Sequence, residues 1–380
     1  MCDVAKEVAY SLRDSGGVRE YSLDKLVQLD QNSKTENSSV IIEDMATLAA
    51  RANAKFISDK VAIALVNANR DSFLSNSYQN STGCATAIKV ENGETQTKYC
   101  KNRWCMVCNR IRTAKLLHTY YPIVKEWGAD AFFTTVTIPN VKAGELQMAF
   151  DQMHEVFTKI KRRMKRTLDM DFVAIRKIEC TYNPKRDDYH PHYHIIFKGQ
   201  DAAETFKNQW LKYYPGTSEK GQDVQQAKDG GVKELFKYFT KLFAKNSDGN
   251  YEFDAQKMDV IFKAMYKKRT MQPYGFKKSD YEDVIEETDT DNINEIEEIQ
   301  EEVNQETETD AEPLEMPTDG IYLWRYDNWY HYVTGEALTN FEPTEKMLQL
   351  VKNIKPRRYY REMSAKRFKQ ESLIGLAYPL

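Results

Sequence analysis

Phe172 to Phe197 reads FVAIRKIECTYNPKRDDYHPHYHIIF, and its two halves decide the fold. The first half, FVAIRKIECTY (172–182), is apolar and β-branched and predicts a strand. Asn183-Pro184-Lys185-Arg186-Asp187-Asp188 has the composition of a turn. His190-Pro191-His192-Tyr193-His194 then runs into Ile195-Ile196-Phe197, which predicts a second strand and hence a hairpin. Successive side chains of a strand alternate faces, so His190, His192 and His194 point the same way. Neutral imidazole is the commonest transition-metal ligand. A lone histidine would read as a polar strand face; three in alternation beside an apolar run point to a divalent metal. A turn centred near Arg186–Asp187 places Glu179 opposite His194, on the histidine face, as a candidate further ligand. A slip of one residue would turn Glu179 away.

Upstream, Phe132 to Asn140 (FFTTVTIPN) predicts another strand ended by Pro-Asn. Glu145 to Arg166 reads helical, with Met148, Phe150, Met153, Val156, Phe157, Ile160 and Met164 mostly at three and four spacing. Lys159, Lys161, Arg162, Arg163, Lys165 and Arg166 crowd its C-terminal half. Cations suit a helix C-terminus, but six in eight residues exceeds capping and favours a nucleic-acid-facing surface. Downstream, Gly230-Gly231 breaks the chain, and Val232 to Ala244 (VKELFKYFTKLFA) predicts a helix. There Glu234, Lys237, Tyr238 and Lys241 form one polar stripe, away from Leu235, Phe236, Phe239, Leu242 and Phe243. Met258 to Phe276 predicts a basic helix stopping near Gln272-Pro273.

Before the strands lie Cys84, Cys100, Cys105 and Cys108, four of the six cysteines. Cys105-Met106-Val107-Cys108 is a zinc-knuckle pair, and a second pair upstream would close a tetrahedral site. A redox pair or unrelated buried thiols are the alternative, and His118 is a possible substitute ligand. A closed site would be structural, bracing a loop-rich region. Arg103, Arg110, Arg112 and Lys115 crowd this pair, which suits phosphate contacts.

The net charge of −3 conceals an asymmetry. Residues 281–320 hold 17 Asp and Glu and no Lys or Arg; the other 340 residues carry 54 basic against 40 acidic residues, a net of +14. A basic body with an acidic segment points to a polyanion partner, most simply nucleic acid. The segment itself has the composition of a disordered linker. No apolar run approaches the ~18 residues a membrane span needs, and Met1 to Lys6 lacks a signal peptide's apolar core. The expectation is a cytoplasmic protein with reduced thiols and no membrane partner. Ile41 to Phe73 reads helical, Ile321 to Val333 (IYLWRYDNWYHYV) is a hairpin candidate around Asp327-Asn328, and Lys355 to Lys369 is strongly basic.

Taken in order, the Thr-Val-Thr strand, His-Pro-His-Tyr-His and Glu234-x-x-x-Tyr238-x-x-Lys241 resemble the HUH endonucleases. The closest likeness is to the rolling-circle plasmid replication initiators with one catalytic tyrosine. Cys100-x4-Cys105-x2-Cys108 and Arg269-Thr270-Met271-Gln272-Pro273-Tyr274-Gly275 resemble that group too, so the likeness covers about residues 84 to 276. It implies an α+β fold, a central antiparallel sheet with helices on one face (ferredoxin-like). It implies that His192 and His194, within a signature that includes His190, hold Mn²⁺ or Mg²⁺. Tyr238 would be the nucleophile, leaving a 5′-phosphotyrosine and a free 3′-hydroxyl that primes a polymerase. Glu234 would activate water at termination, and Lys241 matches the lysine after the tyrosine. Origin DNA, single-stranded or as an extruded hairpin, is the implied partner, with a host helicase and polymerase, in a bacterial, nucleoid-associated replicon. The organisation expected is a helical N-terminal region (1–80), a structural zinc region (81–125), the HUH domain (126–280), the acidic linker (281–320) and a small basic, aromatic C-terminal unit (321–380). DNA contacts are expected from Arg103, Arg110, Arg112, Lys161, Arg162, Arg163 and Lys237. A mobilisation relaxase or transposase with one tyrosine, and a non-catalytic zinc-containing DNA-binding protein, are the other readings.

Overall fold

The computed structural model of the chain describes residues 10–14, 17–21, 41–42, 45–227, 244–245, 251–276, 318–352 and 354. In chain order these form β1 (Tyr10–Asp14), β2 (Gly17–Tyr21), β3 (Ile41–Ile42), α1 (Met45–Ala68), α2 (Ser75–Thr82), β4 (Ala87–Glu91), β5 (Glu94–Thr97) and α3 (Met106–Trp127). Then come β6 (Ala131–Thr137), α4 (Leu146–Thr167), β7 (Ala174–Asn183), β8 (Asp188–Lys198), α5 (Gln200–Tyr213) and β9 (Asp223–Gln226). After these follow β10 (Ala244–Lys245), β11 (Tyr251–Glu252), α6 (Ala255–Ala264), β12 (Met271–Tyr274), β13 (Gly320–Arg325), β14 (Asn328–His331) and α7 (Glu345–Val351). The protein is α+β, with antiparallel sheets and N-terminal helices.

The central sheet has the order β12-β7-β8-β6-β9, all antiparallel. Its two faces follow from strand parity. Tyr193, Ile195 and Phe197 of β8 face α4 and α5, where Phe157 meets Tyr193 and Phe206 meets Phe197 edge-on or tilted. The helix α4 buries Leu146, Phe150, Met153, Phe157, Ile160 and Met164, a strict alternation of four and three. Each such side chain stabilises the packed layer by roughly 1.5–3 kcal/mol. The opposite face carries the histidines. Its far end is not bare, as a sheet with helices on one face only would be: Tyr120 and Val124 of α3 pack there with Phe133, Ile175 and Ile196.

The end of β6 nearest the histidines is stapled. Trp210 of α5, fully buried, donates its Nε1–H to the carbonyl of Thr137 at 2.8 Å. Gln222 accepts from Thr137 N (2.7 Å) and donates to Thr137 Oγ1 (3.0 Å).

A second sheet, order β14-β13-β4-β5-β3, surrounds the cysteines. Its β4–β5 hairpin turns at Asn92-Gly93, both at positive φ (53° and 79°). That is the Asn-Gly signal of a tight hairpin. The aromatic hairpin expected at 321–333 forms as β13–β14, but its turn is Tyr326-Asp327. It also joins the cysteine-bearing sheet: Gly320–Leu323 pair with Val90–Ala87, and buried Trp329 donates to the carbonyl of Ala85 at 2.8 Å.

Three sequence expectations need correction here. The helix read from Ile41 begins at Met45, because Ile41–Ile42 pair with Thr95 and Glu94 as β3. It ends at Ala68, where Asn69 Nδ2 donates to the carbonyls of Leu65 and Ala255. The helix read over Met258–Phe276 is instead α6 followed by the edge strand β12. Proline has no N–H to give a neighbouring strand, so Pro273 sits well on an edge, opposite Ile175. The stretch after Cys105 is no loop but the 22-residue α3, which carries Pro122 inside it. The predicted helix 232–244 lies outside the described residues except Ala244, and so do residues 281–317 of the acidic segment and Lys355–Lys369.

Gly275, at φ +80°, closes β12 against β7: a Cβ there would meet the Phe172 carbonyl oxygen at 2.5 Å and Val173 Cα at 3.0 Å. Gly335 has a similar φ (+77°) with nothing within 4 Å. Gly335→Ala should cost only the left-handed penalty, about 1 kcal/mol. Gly275→Ala should cost about 2 kcal/mol more, because backbone must move. Urea unfolding of both variants checks this; equal midpoints would remove the close approach.

Candidate functional site

The β7–β8 register brings the site together. Glu179 lies opposite His192, Lys177 opposite His194 and Thr181 opposite His190. The sequence expectation paired Glu179 with His194, two residues away. A two-residue shift preserves face, so Glu179 still projects onto the histidine side. Its Oε2 stands 3.4 Å from His192 Nε2 and 3.7 Å from His194 Nε2. The ligand atoms of Glu179, His192 and His194 all lie within 4.8 Å of one another.

The remaining polar atoms fix these orientations. Glu179 Oε1 is held by the ammonium of Lys177 at 2.6 Å, and Lys177 is buried. His192 Nδ1 donates to the carbonyl of His190 at 3.1 Å. A carbonyl only accepts, so the His192 proton sits on Nδ1, and in the neutral ring Nε2 presents a lone pair to Glu179. His194 Nδ1 is held by Thr135 Oγ1 at 3.0 Å, from the strand on the other side. Burial pushes the Glu179 carboxyl up. With both imidazoles protonated, the hydrogen bond from His192 Nε2–H and the charges of Lys177 and His194 outweigh it and hold the carboxyl at about 2. When the rings are neutral with Nε2 unprotonated, the carboxylate and the two imidazole lone pairs repel one another at this separation, and a cation between them relieves the repulsion. This donor set fits a divalent metal with coordination positions left open for water or substrate.

His190 stands apart from this trio. It stacks beside His192, with ring centroids 5.2 Å apart, and its Nδ1 donates to Asn140 Oδ1 at 2.8 Å. Asn140, of the Pro-Asn turn after β6, also donates to Asp188 at 2.7 Å. Lys177, Thr135 and Asn140 were not singled out from the sequence. Parity with Glu179 and His194 marks the first two once strand pairing is known; Asn140 had no signal beyond its turn.

The four cysteines form a second centre. Cys84 follows α2, Cys100 follows β5, Cys105 caps α3 and Cys108 lies in its first turn. Cys108 Sγ is 3.4 Å from Cys84 Sγ and 3.6 Å from Cys100 Sγ, and all four sulfurs lie within 4.8 Å. A disulfide needs about 2.05 Å, whereas Zn–S bonds of ~2.3 Å in a tetrahedron put sulfurs about 3.8 Å apart. Amide N–H groups of Cys100 and Asn102 donate to Cys84 and Cys100 sulfurs at 3.4 Å. Ser58 Oγ accepts from Met106 N at 3.1 Å and stands 3.4 Å from Cys105 Sγ. Hydrogen bonding with Cys100, first among several, holds Cys105 well below the usual thiol range and pushes Cys84 up, so these thiols titrate as one unit. The set fits zinc and closes without His118, whose side chain lies outside the described residues.

The expected DNA-contacting cations are dispersed. Arg103 Nη1 donates to the carbonyls of Met265 (3.2 Å) and Lys268, and burial lowers its pKa. Arg110 donates to Ala50 O (2.9 Å) and Arg112 to Lys101 O (3.2 Å). Each thus makes a backbone contact within the protein, Arg103 reaching from the cysteine module to the segment that leads into β12. Lys161 lies over the Tyr274 ring at 4.7 Å, and Arg162 and Arg163 are exposed. They ride on α4, behind the sheet, away from the histidine face. Glu234, Lys237, Tyr238 and Lys241 lie outside the described residues.

Comparison with known proteins agrees with the chemistry. Residues 93–214 match a family profile described as Replication protein. A protein rep of Staphylococcus aureus is 34% identical over 165 residues, covering 39% of this chain and 70% of that protein. A protein rep of Streptococcus pneumoniae is 27% identical over 207 residues, covering 48% of this chain and 63% of its own length. One from a Bacillus species is 34% identical over 106 residues, covering 27% of this chain and 34% of that protein. No solved structure matches. With its histidine strand and most of its cysteine cluster inside the matched span, the chain belongs to the Replication protein family of rolling-circle plasmid replication proteins.

Proposed function

We propose that this protein initiates rolling-circle replication by nicking one strand of a plasmid origin, with Tyr238 as nucleophile and Glu179, His192 and His194 as metal ligands. The observation that carries this reading is the convergence of Glu179 Oε2 on two histidine Nε2 atoms, at 3.4 and 3.7 Å. The element order β6-α4-β7-β8-α5-β9 and the strand order β7-β8-β6-β9 agree with the ferredoxin-like HUH fold that the motifs imply. Two imidazoles favour Mn²⁺ over Mg²⁺, which prefers all-oxygen shells.

A divalent cation bound there supplies Lewis-acid polarisation of the scissile phosphate. The chain's own groups do the rest. Lys177 holds one oxygen of Glu179, so the other faces the histidines. Tyr238 Oη attacks phosphorus, and the bond from phosphorus to the 3′ oxygen breaks. That oxygen takes up a proton and leaves as a 3′-hydroxyl primer; the 5′-phosphate stays esterified to Tyr238. The energy of the broken phosphodiester is kept in the new one, so rejoining needs no nucleotide cofactor. Glu234, four residues before Tyr238 in the sequence, activates water to release the displaced strand, and Lys241 follows Tyr238 by three residues. Cys84, Cys100, Cys105 and Cys108 hold a structural zinc. A relaxase or transposase with one tyrosine would use a similar centre; the cysteine cluster and the matched relatives favour the replication reading. Among the described residues no helix is long and apolar enough to cross a membrane.

Three outcomes follow from these roles. With Mn²⁺ and a labelled single-stranded origin oligonucleotide, the protein should form a covalent adduct. His192→Ala and Glu179→Gln should each lower adduct formation by about 100-fold or more. Undiminished adduct formation in excess chelator would sink the metal assignment.

Tyr238→Phe should bind origin DNA yet form no adduct. Glu234→Ala should still form it but fail to release the strand by hydrolysis. If Glu234→Ala abolishes nicking as fully as Tyr238→Phe, Glu234 instead binds metal or activates the tyrosine.

The purified protein should carry about one zinc per chain. Cys105→Ser should lose it and lower the melting temperature before it affects chemistry. A stable, active, zinc-free preparation would rule the centre out.

A further inference from the structure

Phe73 and Tyr266 are exposed, at 63% and 46%, yet their rings touch, with centroids 5.1 Å apart at 67°. They come from distant parts of the chain: Phe73 from the loop between α1 and α2, Tyr266 from the loop after α6. A single exposed aromatic needs no explanation. Two that meet edge to face present ring surface to solvent together, and the Lys267 ammonium stands over the Tyr266 ring, 5.5 Å from its centroid.

Neither ring sits on a slack loop. Beside Phe73, Ser72 Oγ donates to the buried carboxylate of Asp259 at 2.6 Å and accepts from Leu74 N at 3.2 Å. Leu74 itself is buried. Tyr78 donates to the same Asp259 oxygen at 2.6 Å. Tyr266 follows the fully buried Met265 and precedes Lys267, a non-glycine residue at φ +58°. Arg103 grips the carbonyls of Met265 and Lys268, on both sides of the Tyr266-Lys267 pair. The display of these rings is therefore over-determined by buried polar contacts, which is how strained backbone persists at binding sites.

The surroundings are cationic. Lys267, Arg269 and Arg70 are exposed. Lys263 pairs with Asp259 at 3.0 Å and Lys268 with Asp151, while Asp71 is the exposed acid beside Phe73. Exposed rings with exposed cations close by in the chain are what single-stranded nucleic acid needs, a π-face for a base and charge for its phosphates. Duplex DNA offers no free base face. A protein partner with an apolar surface would not call for the cations.

We propose that the Phe73–Tyr266 pair is a stacking platform for bases of single-stranded DNA, with Lys267 and Arg70 contacting the backbone. The platform rests on the reading of this chain as an origin-nicking protein, since nicking and displacement generate single strands.

The test uses the full chain and fluorescence anisotropy at low salt, with an oligo-dT of roughly 16 nucleotides and a blunt duplex of similar length. Phe73→Ala/Tyr266→Ala should weaken oligo-dT binding about tenfold or more and duplex binding less than about twofold. Phe73→Tyr/Tyr266→Phe, which keeps both rings, should retain the oligo-dT affinity. Unchanged oligo-dT affinity in the double alanine variant, or an equal loss on duplex, would overturn the platform. Adduct formation by the unaltered protein is read separately. Its failure would strike the nicking reading, whereas an intact adduct with unchanged oligo-dT binding strikes the platform alone.

Discussion

The pairing of β7 with β8 is the constraint on which the Glu179–His192–His194 cluster depends. Ten cross-strand pairs set the register, and one of them places Glu179 beside His192. A slip of one residue would turn Glu179 and Lys177 under α4 and bring Arg176 and Ile178 up to the histidines. That slip is strongly opposed. Arg176 is buried on the helix side, 4.7 Å from the Phe157 ring and 4.9 Å from the Tyr193 ring, and Ile178 lies in the main core. The apolar packing of one sheet face thus holds the polar chemistry of the other in place. Thr137, stapled by Trp210 and Gln222, stops β6 sliding along β8 from the opposite side.

The histidine site was legible because its information is local. Alternation within five residues fixes a common face whatever the partner strand does. The Glu179 register was off by two, yet its face was right, since only odd errors change sides. The α4 stripe was legible for the same reason. What failed was local signal facing long-range competition. Met271–Tyr274 looks like the tail of a basic helix until β7 offers it hydrogen bonds. Asn92-Gly93 was an available hairpin signal that the cysteine spacing overshadowed. The union of β13 with β4, more than 200 residues apart, leaves no periodic trace in either segment. Lys177 was invisible for a different reason: a buried lysine is predicted only when its carboxylate partner is already known.

The two centres obey opposite rules. Four sulfurs around one ion would complete a tetrahedral shell and leave no place for substrate, so such a site would brace rather than react. One carboxylate and two imidazoles around an ion would leave coordination positions open, as the proposed phosphoryl chemistry requires. Lys177 sharpens the difference. By occupying one oxygen of Glu179, it leaves that residue a single oxygen for a cation and keeps the shell open.

Covalent sequence and hydrogen bonds also join the two centres. Arg103 lies between Cys100 and Cys105, so the cysteine cluster fixes where its backbone stands. Its guanidinium holds the carbonyls of Met265 and Lys268, at the start of the segment leading into β12. Two residues on, the carbonyl of Thr270 accepts from Ile178 N at 2.8 Å, next to Glu179 on β7. The edge strand of the histidine-bearing sheet is thus anchored from the cysteine module. Part-buried guanidinium-to-carbonyl bonds of this kind are worth up to roughly 1.5–3 kcal/mol each, enough to matter for a four-residue edge strand. A metal held by the four cysteines, set apart in sequence from the histidines, would therefore set the rigidity of the strand that carries their carboxylate.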